Sequence, residues 1–208
     1  MIAIIDYGVG NLFSLAHSLK AVGAEAVVTG EAEAIRRADR VILPGVGAFG
    51  DAARKLRESG LDAVAKAIAA RGTPIMGICL GMQLLLEKSY EFGEHAGLGL
   101  VPGEVRPIAG VIPADYKIPH IGWNALEIAR PHPIFANVKP GDCVYFVHSY
   151  YGANCGDHVI ATAEYGAPLT AAVAKGNVCG CQFHPEKSGD VGLGILKAFC
   201  EWDGVATC

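Results

Sequence analysis

Gly77-Ile78-Cys79-Leu80-Gly81 sets a thiol between small residues. It directly follows the apolar run 74–78 and directly precedes a helical pattern through Met82, Leu84, Leu85 and Leu86. Strand, sharp turn and helix together make a nucleophile elbow, here with cysteine as the nucleophile. Glycines on both sides allow a turn that lifts the side chain above a sheet, where the N–H of Leu80 faces the same space. A helix N-terminus also favours thiolate over thiol. Taken alone, the pentapeptide reads equally well as a buried cysteine between incidental glycines. A thiolate nucleophile needs a base, and the base needs an orienting partner. Among the seven histidines, His184 fits best, because His184-Pro185-Glu186 directly follows the apolar run 178–183. In extended chain, residues two apart point to the same side. Glu186 can then face His184, fix its tautomer and stabilise its protonated form. His17 lies in a helical pattern, His95 and His158 in loops, and His132 beside prolines. His120 and His148 have no carboxylate two or four residues away.

The elements that would hold these groups follow from periodicity. Residues 2–5, 26–29, 40–43 and 74–78 are short apolar runs that read as strands. Leu12, Leu15, Ala16, Leu19 and Val22 recur at helical spacing and stop at Gly23. Residues 52–71 read as one long helix, or two broken near Gly60, and a further helix is expected from Leu80 to about Tyr90. This alternation predicts a parallel sheet with helices on both faces. The second half differs. Residues 103–128 are rich in Pro and Gly with short β-like pieces. Strands are expected at 143–151, 159–165, 170–175 and 178–183, paired antiparallel among themselves, with a last helix at 191–201. No linker separates two domains, so one α/β domain with a mixed sheet is expected. Two turns are glycine-rich. Gly8-Val9-Gly10-Asn11 has Phe13 where a third glycine would stand. Gly45-Val46-Gly47-Ala48-Phe49-Gly50 matches G-x-G-x-x-G. A dinucleotide site needs a carboxylate about 20 residues on, at the tip of the next strand, and here that stretch falls inside the helical pattern 61–71. Tight turns at the sheet edge are one reading. The better one is backbone N–H groups that hold an anion or a developing oxyanion.

Composition bounds the function. The 208 residues are 51% hydrophobic and 18% charged, with 17 Lys+Arg against 21 Asp+Glu and a net charge of −4. That length suggests one domain, or two small ones at most. So apolar a chain is not disordered, and without a basic excess it is not a general nucleic-acid binder. The most apolar stretch, 74–82, meets Gln83 far short of the roughly 20 residues a bilayer needs. The first five residues carry no basic leader before Asp6, so no secretory signal is expected. Seven scattered cysteines (Cys79, Cys143, Cys155, Cys179, Cys181, Cys200, Cys208) include no C-x-x-C pair, so no metal is expected. They read as reduced thiols of a cytoplasmic protein, mostly small buried hydrophobes.

Together, Gly77-Ile78-Cys79-Leu80-Gly81 and His184-Pro185-Glu186 resemble the triad (class I) glutamine amidotransferases. Asp6-Tyr7-Gly8-Val9-Gly10-Asn11, Pro44-Gly45-Val46-Gly47, Ile118-Pro119-His120-Ile121-Gly122-Trp123-Asn124 and Phe183-His184-Pro185-Glu186-Lys187-Ser188 resemble one branch of that family. This branch comprises the glutaminase subunits of imidazole glycerol phosphate synthase in histidine biosynthesis. The resemblance spans residues 4–188. It implies a single three-layer, flavodoxin-like domain over 1–208, with a central, mostly parallel mixed sheet between helices. It implies Cys79 as nucleophile, His184 as general base and acid, and Glu186 as the orienting carboxylate. The oxyanion would be held by the N–H groups of Leu80 and Gly47, with Val46 in a strand that reorients. Glutamine would contact Gln83, Glu91, Ser149 and Tyr150, although Gln83 and Glu91 also fit a solvated helix face. The implied partner is a (β/α)8-barrel cyclase, met in a heterodimer through Asn11, Trp123, Tyr145 and Lys187; on sequence alone Lys187 is as readily a plain solvent lysine. No cofactor is implied. The chain offers no second site for an acceptor, so ammonia released in water would be wasted and a partner that consumes it is expected. Cys179 and Cys181 are unusual neighbours that would add redox sensitivity. Rival readings are a subunit of another triad amidotransferase, a cysteine hydrolase that needs no partner, and a binding module with an inert Cys79.

Overall fold

Alternation along four short apolar strands generates both faces of the central sheet. The computed structural model describes residues 1–205, so Cys208 lies outside the described residues. β1 (Ile2–Ile5) and α1 (Leu12–Ala21) open the chain, followed by β2 (Ala26–Thr29), α2 (Ala32–Arg37) and β3 (Arg40–Leu43). Then come α3 (Phe49–Glu58), α4 (Leu61–Ala70), β4 (Ile75–Ile78) and α5 (Leu80–Leu85). Beyond them lie β5 (Lys88–Ser89), β6 (His95–Ala96), β7 (Glu104–Pro107), β8 (His120–Ala125) and β9 (Glu127–Ile128). The chain ends with β10 (Cys143–His148), β11 (Tyr150–Ala153), β12 (Val159–Glu164), β13 (Pro168–Lys175), β14 (Val178–Cys181) and α6 (Gly189–Glu201).

The main sheet has eight strands in the order β2-β1-β3-β4-β14-β13-β12-β9. It is parallel from β2 to β14 and antiparallel from β14 to β9. Because side chains alternate, Ala3, Ile5, Val41, Leu43 and Ile75 pack with α2, α3, α4 and α5 on one face. Ile2, Ile4, Ile42, Met76 and Ile78 pack with α1 and α6 on the other. The result is the expected three-layer α/β arrangement. Two small sheets, β10-β8 and β11-β7-β5-β6, lie beside it.

Several boundaries depart from the sequence reading. The helix expected to run to about Tyr90 ends at Leu85. The N–H groups of Leu98, Leu100 and Gly99 take the carbonyls of Leu84, Leu85 and Leu86, at 2.8, 2.9 and 3.0 Å. A Cβ on Gly97 would lie 2.1 Å from the Leu86 carbonyl oxygen, so this loop occupies the space a longer helix would need. The 52–71 pattern resolves into two helices, split at Gly60 in the left-handed region (φ 72°), and the first begins earlier, at Phe49. α2 escaped notice because Ile35 is its one buried residue, which leaves no periodic signal. The 143–151 run is two strands. β10 pairs antiparallel with β8 and β11 with β7, so their partners come from the Pro/Gly-rich segment and not from the later strands. The six described cysteines are free; Cys79, Cys155, Cys179 and Cys181 are buried and Cys143 is exposed. No helix among the described residues is long and apolar enough to cross a membrane.

Candidate active site

Packing dictates the turn at Cys79. Gly77, near the end of β4, lies so close to α5 that a Cβ there would sit 2.7 Å from backbone atoms of Gly81 and Met82. A Cβ on Gly81 would lie 1.8 Å from the Leu43 carbonyl oxygen. Both glycines are therefore needed for the close crossing of strand and helix, not for a special dihedral. The strained backbone falls on the cysteine itself, with φ 55° and ψ −113°. A non-glycine residue held there marks a functional constraint. The Cys79 N–H donates to the Cys181 carbonyl (2.8 Å) and the Cys79 carbonyl accepts from the Gln83 N–H (3.2 Å), so the elbow is tied to strand and helix at once.

His184 and Glu186 lie at the end of the neighbouring parallel strand. His184 Nδ1 meets Glu186 Oε1 at 2.8 Å, with both side chains almost fully buried. Burial alone would lower the imidazole pKa, but hydrogen bonds to Cys79 and Glu186 outweigh it and push it up to about 9. The site therefore favours an imidazolium beside the cysteine sulfur. His184 is held from behind: its N–H donates to the Tyr145 carbonyl (2.9 Å), and its carbonyl accepts from Ser188 Oγ (2.6 Å).

A cavity of about 310 Å3 opens above the elbow. Cys79, Leu80, Val46, Gly47, Gln83, Glu91, Ser149, Tyr150 and His184 all line it, which brings together every expected nucleophile, base, oxyanion and glutamine position except Glu186, seated behind the imidazole. Gln83 is buried and is not on a solvated face. Its Nε2 donates to the Tyr150 carbonyl (3.1 Å) and to Gln182 Oε1 (3.0 Å). Glu91 accepts from the Phe49 N–H (2.6 Å) through Oε2, so it caps α3 as it walls the cavity. The segment at Val46 begins at Pro44, whose carbonyl accepts from the Tyr7 hydroxyl (2.8 Å). Burial, with a smaller contribution from Cys79, raises the Tyr7 pKa far beyond the ordinary range for a phenol.

The expected interface residues lie outside the cavity. Trp123 is 54% exposed, meets Tyr145 edge-on at 6.0 Å, and Lys187 Nζ stands over the Tyr145 ring at 5.8 Å. Asn11 stands at the N-terminal boundary of α1 without a side-chain capping bond, and that helix touches the turn Pro185–Lys187. Sequence reasoning missed Gln182, and it weighed His148 and quoted Tyr7 without giving either a place in the site. Gln182 sits two residues before His184, on the same side of an extended chain, and that spacing could have revealed it.

An elbow cysteine and an adjacent His–Glu pair at the carboxyl ends of parallel strands form the arrangement that cysteine-dependent acyl transfer requires. The chain matches the model of the class-I glutamine amidotransferase family over residues 3–200, and it belongs to that family. It is 52% identical over 200 residues to "Imidazole glycerol phosphate synthase subunit HisH" of Bacillus cereus (strain G9842), covering 96% of this chain and 93% of that protein. It is 50% identical over 202 residues to the protein of that name from Caldanaerobacter subterraneus subsp. tengcongensis, covering 97% and 98%. Among solved structures, PurLQS from Thermotoga maritima superposes with a TM-score of 0.76 at 22% identity, covering 96% of this chain and 97% of that one. A crystal structure of a glutamine amidotransferase gives 0.74 at 20% identity, covering 96% and 98%. At these identities the structural likeness shows the fold alone.

Proposed function

We propose that this chain is the glutaminase subunit of imidazole glycerol phosphate synthase, acting as a single domain in the cytoplasm. It hydrolyses L-glutamine to glutamate and ammonia. The observation that carries the reading is the convergence of Cys79, the His184–Glu186 pair and the Gly47–Leu80 segments on one cavity large enough for a single amino acid. The Cys79 thiolate attacks the side-chain amide carbon of glutamine. The N–H groups of Leu80 and Gly47 take the charge that develops on oxygen. The His184 imidazolium protonates the leaving nitrogen, and ammonia departs from a γ-glutamyl thioester. His184 then takes a proton from water, the water cleaves the thioester, and glutamate leaves the thiolate–imidazolium pair restored. Glu91 faces the substrate ammonium, the Ser149–Tyr150 segment faces its carboxylate, and Gln83 keeps its amide oxygen for a donor on the substrate.

The partner is a (β/α)8-barrel cyclase that consumes ammonia to form imidazole glycerol phosphate and an aminoimidazole carboxamide ribotide. Trp123, Tyr145, Lys187 and Asn11 form the docking face. The backbone bond from His184 to Tyr145 sets that face directly behind the triad, which suits ammonia transfer without release to solvent. Treatment with a glutamine-analogue affinity label, followed by mass spectrometry, tests the reading. Labelling of Cys79 alone among the seven cysteines is expected, with glutamate production that rises on adding the cyclase. Labelling at another cysteine, or none, overturns it.

A further inference from the structure

A chain of side-chain hydrogen bonds crosses the site, and one carbonyl sets its direction. The Tyr150 carbonyl can only accept, and it meets Gln83 Nε2 at 3.1 Å and His148 Nδ1 at 2.8 Å. Both nitrogens must therefore carry hydrogen. The second Gln83 hydrogen goes to Gln182 Oε1 at 3.0 Å, which turns Gln182 Nε2 toward Cys79 Sγ, 3.8 Å away. A flipped Gln182 would set two amide nitrogens face to face, donor against donor. On the other arm, His148 uses Nδ1–H on Tyr150, so its Nε2 is a lone pair and accepts from His120 Nδ1 at 3.0 Å. The His120 ring stacks on Tyr165, with centroids 4.0 Å apart, which anchors the far end. Gln182, His120 and His148 are all buried. Burial also lowers the His148 pKa to about 4, which keeps the link neutral, as this pattern of donors requires.

We propose that Gln182 is a further catalytic residue of the glutaminase reaction: its N–H is held on the Cys79 sulfur and stabilises the thiolate, while Gln83, His148 and His120 are positioning residues that fix the amide in that orientation. The inference rests on Cys79 being the nucleophile proposed above. No proton moves through the chain; the thiol proton resides on His184. Besides His184, Tyr7, beyond β1, and Cys181, at the end of β14, are coupled to the sulfur, and burial keeps both protonated; Glu91, His148 and Tyr150 line the same cavity. Glu186 acts on the sulfur only through His184. The imidazolium thus supplies the charge, and the Gln182 amide, two residues earlier on the same segment after β14, supplies a neutral donor.

The test is the pH profile of Cys79 alkylation by iodoacetamide. It is followed by mass spectrometry of the Cys79 peptide in the full-length protein, with glutamine turnover by the cyclase complex measured in parallel. Gln182→Met removes the donor and should move the thiolate limb upward by about one pH unit, since hydrogen bonding to the charged form favours it. Gln182→Glu keeps the acceptor for Gln83 but presents a carboxylate oxygen to the sulfur, and should move it further. His120→Phe keeps the ring stack and loses the anchor donor, giving a smaller shift in the same direction; His120→Asn keeps a donor there and should restore the wild-type profile. That pair carries the test if the Gln182 variants fail to fold. A complex that turns over glutamine through Cys79, while the folded variants leave the alkylation profile unmoved, overturns this inference alone. A wild-type complex that does not turn over glutamine sinks the glutaminase reading instead.

Discussion

Two glycine-bearing turns pack directly against each other at the cavity, and their glycines act in opposite ways. At the elbow, Gly77 and Gly81 are packing glycines; added Cβ atoms would strike backbone at 2.7 and 1.8 Å, and the unusual φ belongs to Cys79. In Pro44-Gly45-Val46-Gly47, only Gly45 is of that kind, with a Cβ there 2.8 Å from the Gly81 nitrogen. Gly47 has φ 90° and open space around it, and Val46 is 42% exposed. The elbow cysteine is thus clamped by close contact, whereas the segment 45–47, where the proposed oxyanion donor lies, is anchored at Gly45 and has space around it beyond. One half of the site is fixed by the fold and the other is left adjustable, which suits a subunit whose turnover is to depend on a docked partner.

The comparison breaks or sharpens along a graded series of substitutions. Cys79→Ala should cost on the order of 10⁵–10⁶ in kcat, since a triad acts as one unit. Glutamate production by the cyclase complex measures it, and residual turnover near wild type would make the elbow thiol inert. Glu186→Gln should leave glutamine binding intact and lower kcat on the order of 10⁴, by loss of the His184 tautomer and charge support; unchanged turnover would make Glu186 merely structural. The two glycine types should then separate by observable. Gly81→Ala should destabilise the fold by about 3 kcal/mol or more, a fall of roughly 6–12 °C in Tm for a chain of this size. Gly47→Ala meets open space but strains a backbone held at φ 90°, so it should lower Tm by less than Gly81→Ala, while lowering kcat on the order of 10²–10³, the cost of one misdirected oxyanion donor. Calorimetry and steady-state kinetics on the same two variants decide, and an exchange of their phenotypes would reverse the comparison.

The sequence showed the clamped half more clearly than the adjustable one, for a physical reason. Strand, Gly-x-Cys-x-Gly and helix form a local pattern, and so does His184-Pro185-Glu186 at i and i+2, so the meeting of Cys79, His184 and Glu186 was legible in the sequence. The parallel sheet was readable because its strands are short apolar runs separated by turn signals. The end of α5 was not, because loop residues Leu98 to Leu100 terminate it by taking its carbonyls, a contact no local window contains. Gln182 was reachable only as a neighbour of His184 two residues on; its meaning comes from Cys79, 103 positions away. His120 and His148 were set aside for want of a nearby carboxylate, yet each finds its partner across the β8–β10 ladder, where the two are directly opposed.

The smallest expected effect concerns charge. With His184 at about 9, held up against burial by Cys79 and Glu186, its folded pKa lies above the ordinary value of about 6.5. His184's own contribution is complete below about pH 6.5 and is lost as pH rises through 9, because over that window the folded imidazole keeps a proton that the unfolded one has released. Where that proton comes from Cys79 the count for the pair is unchanged, so any fall in stability read by urea unfolding across that range should stay below about 1.4 kcal/mol per pH unit, the value for one proton. Cys79→Ala removes one of the two hydrogen bonds and should lower the His184 pKa by about one pH unit, read from the imidazole NMR signal, and should move the stability loss to lower pH. Gly47→Ala should leave that titration where it is, because the oxyanion segment contributes nothing to the charge on His184. A shift of equal size in both variants would mean that the two halves of the site are mechanically joined, and the division between a clamped elbow and a free oxyanion strand would fail.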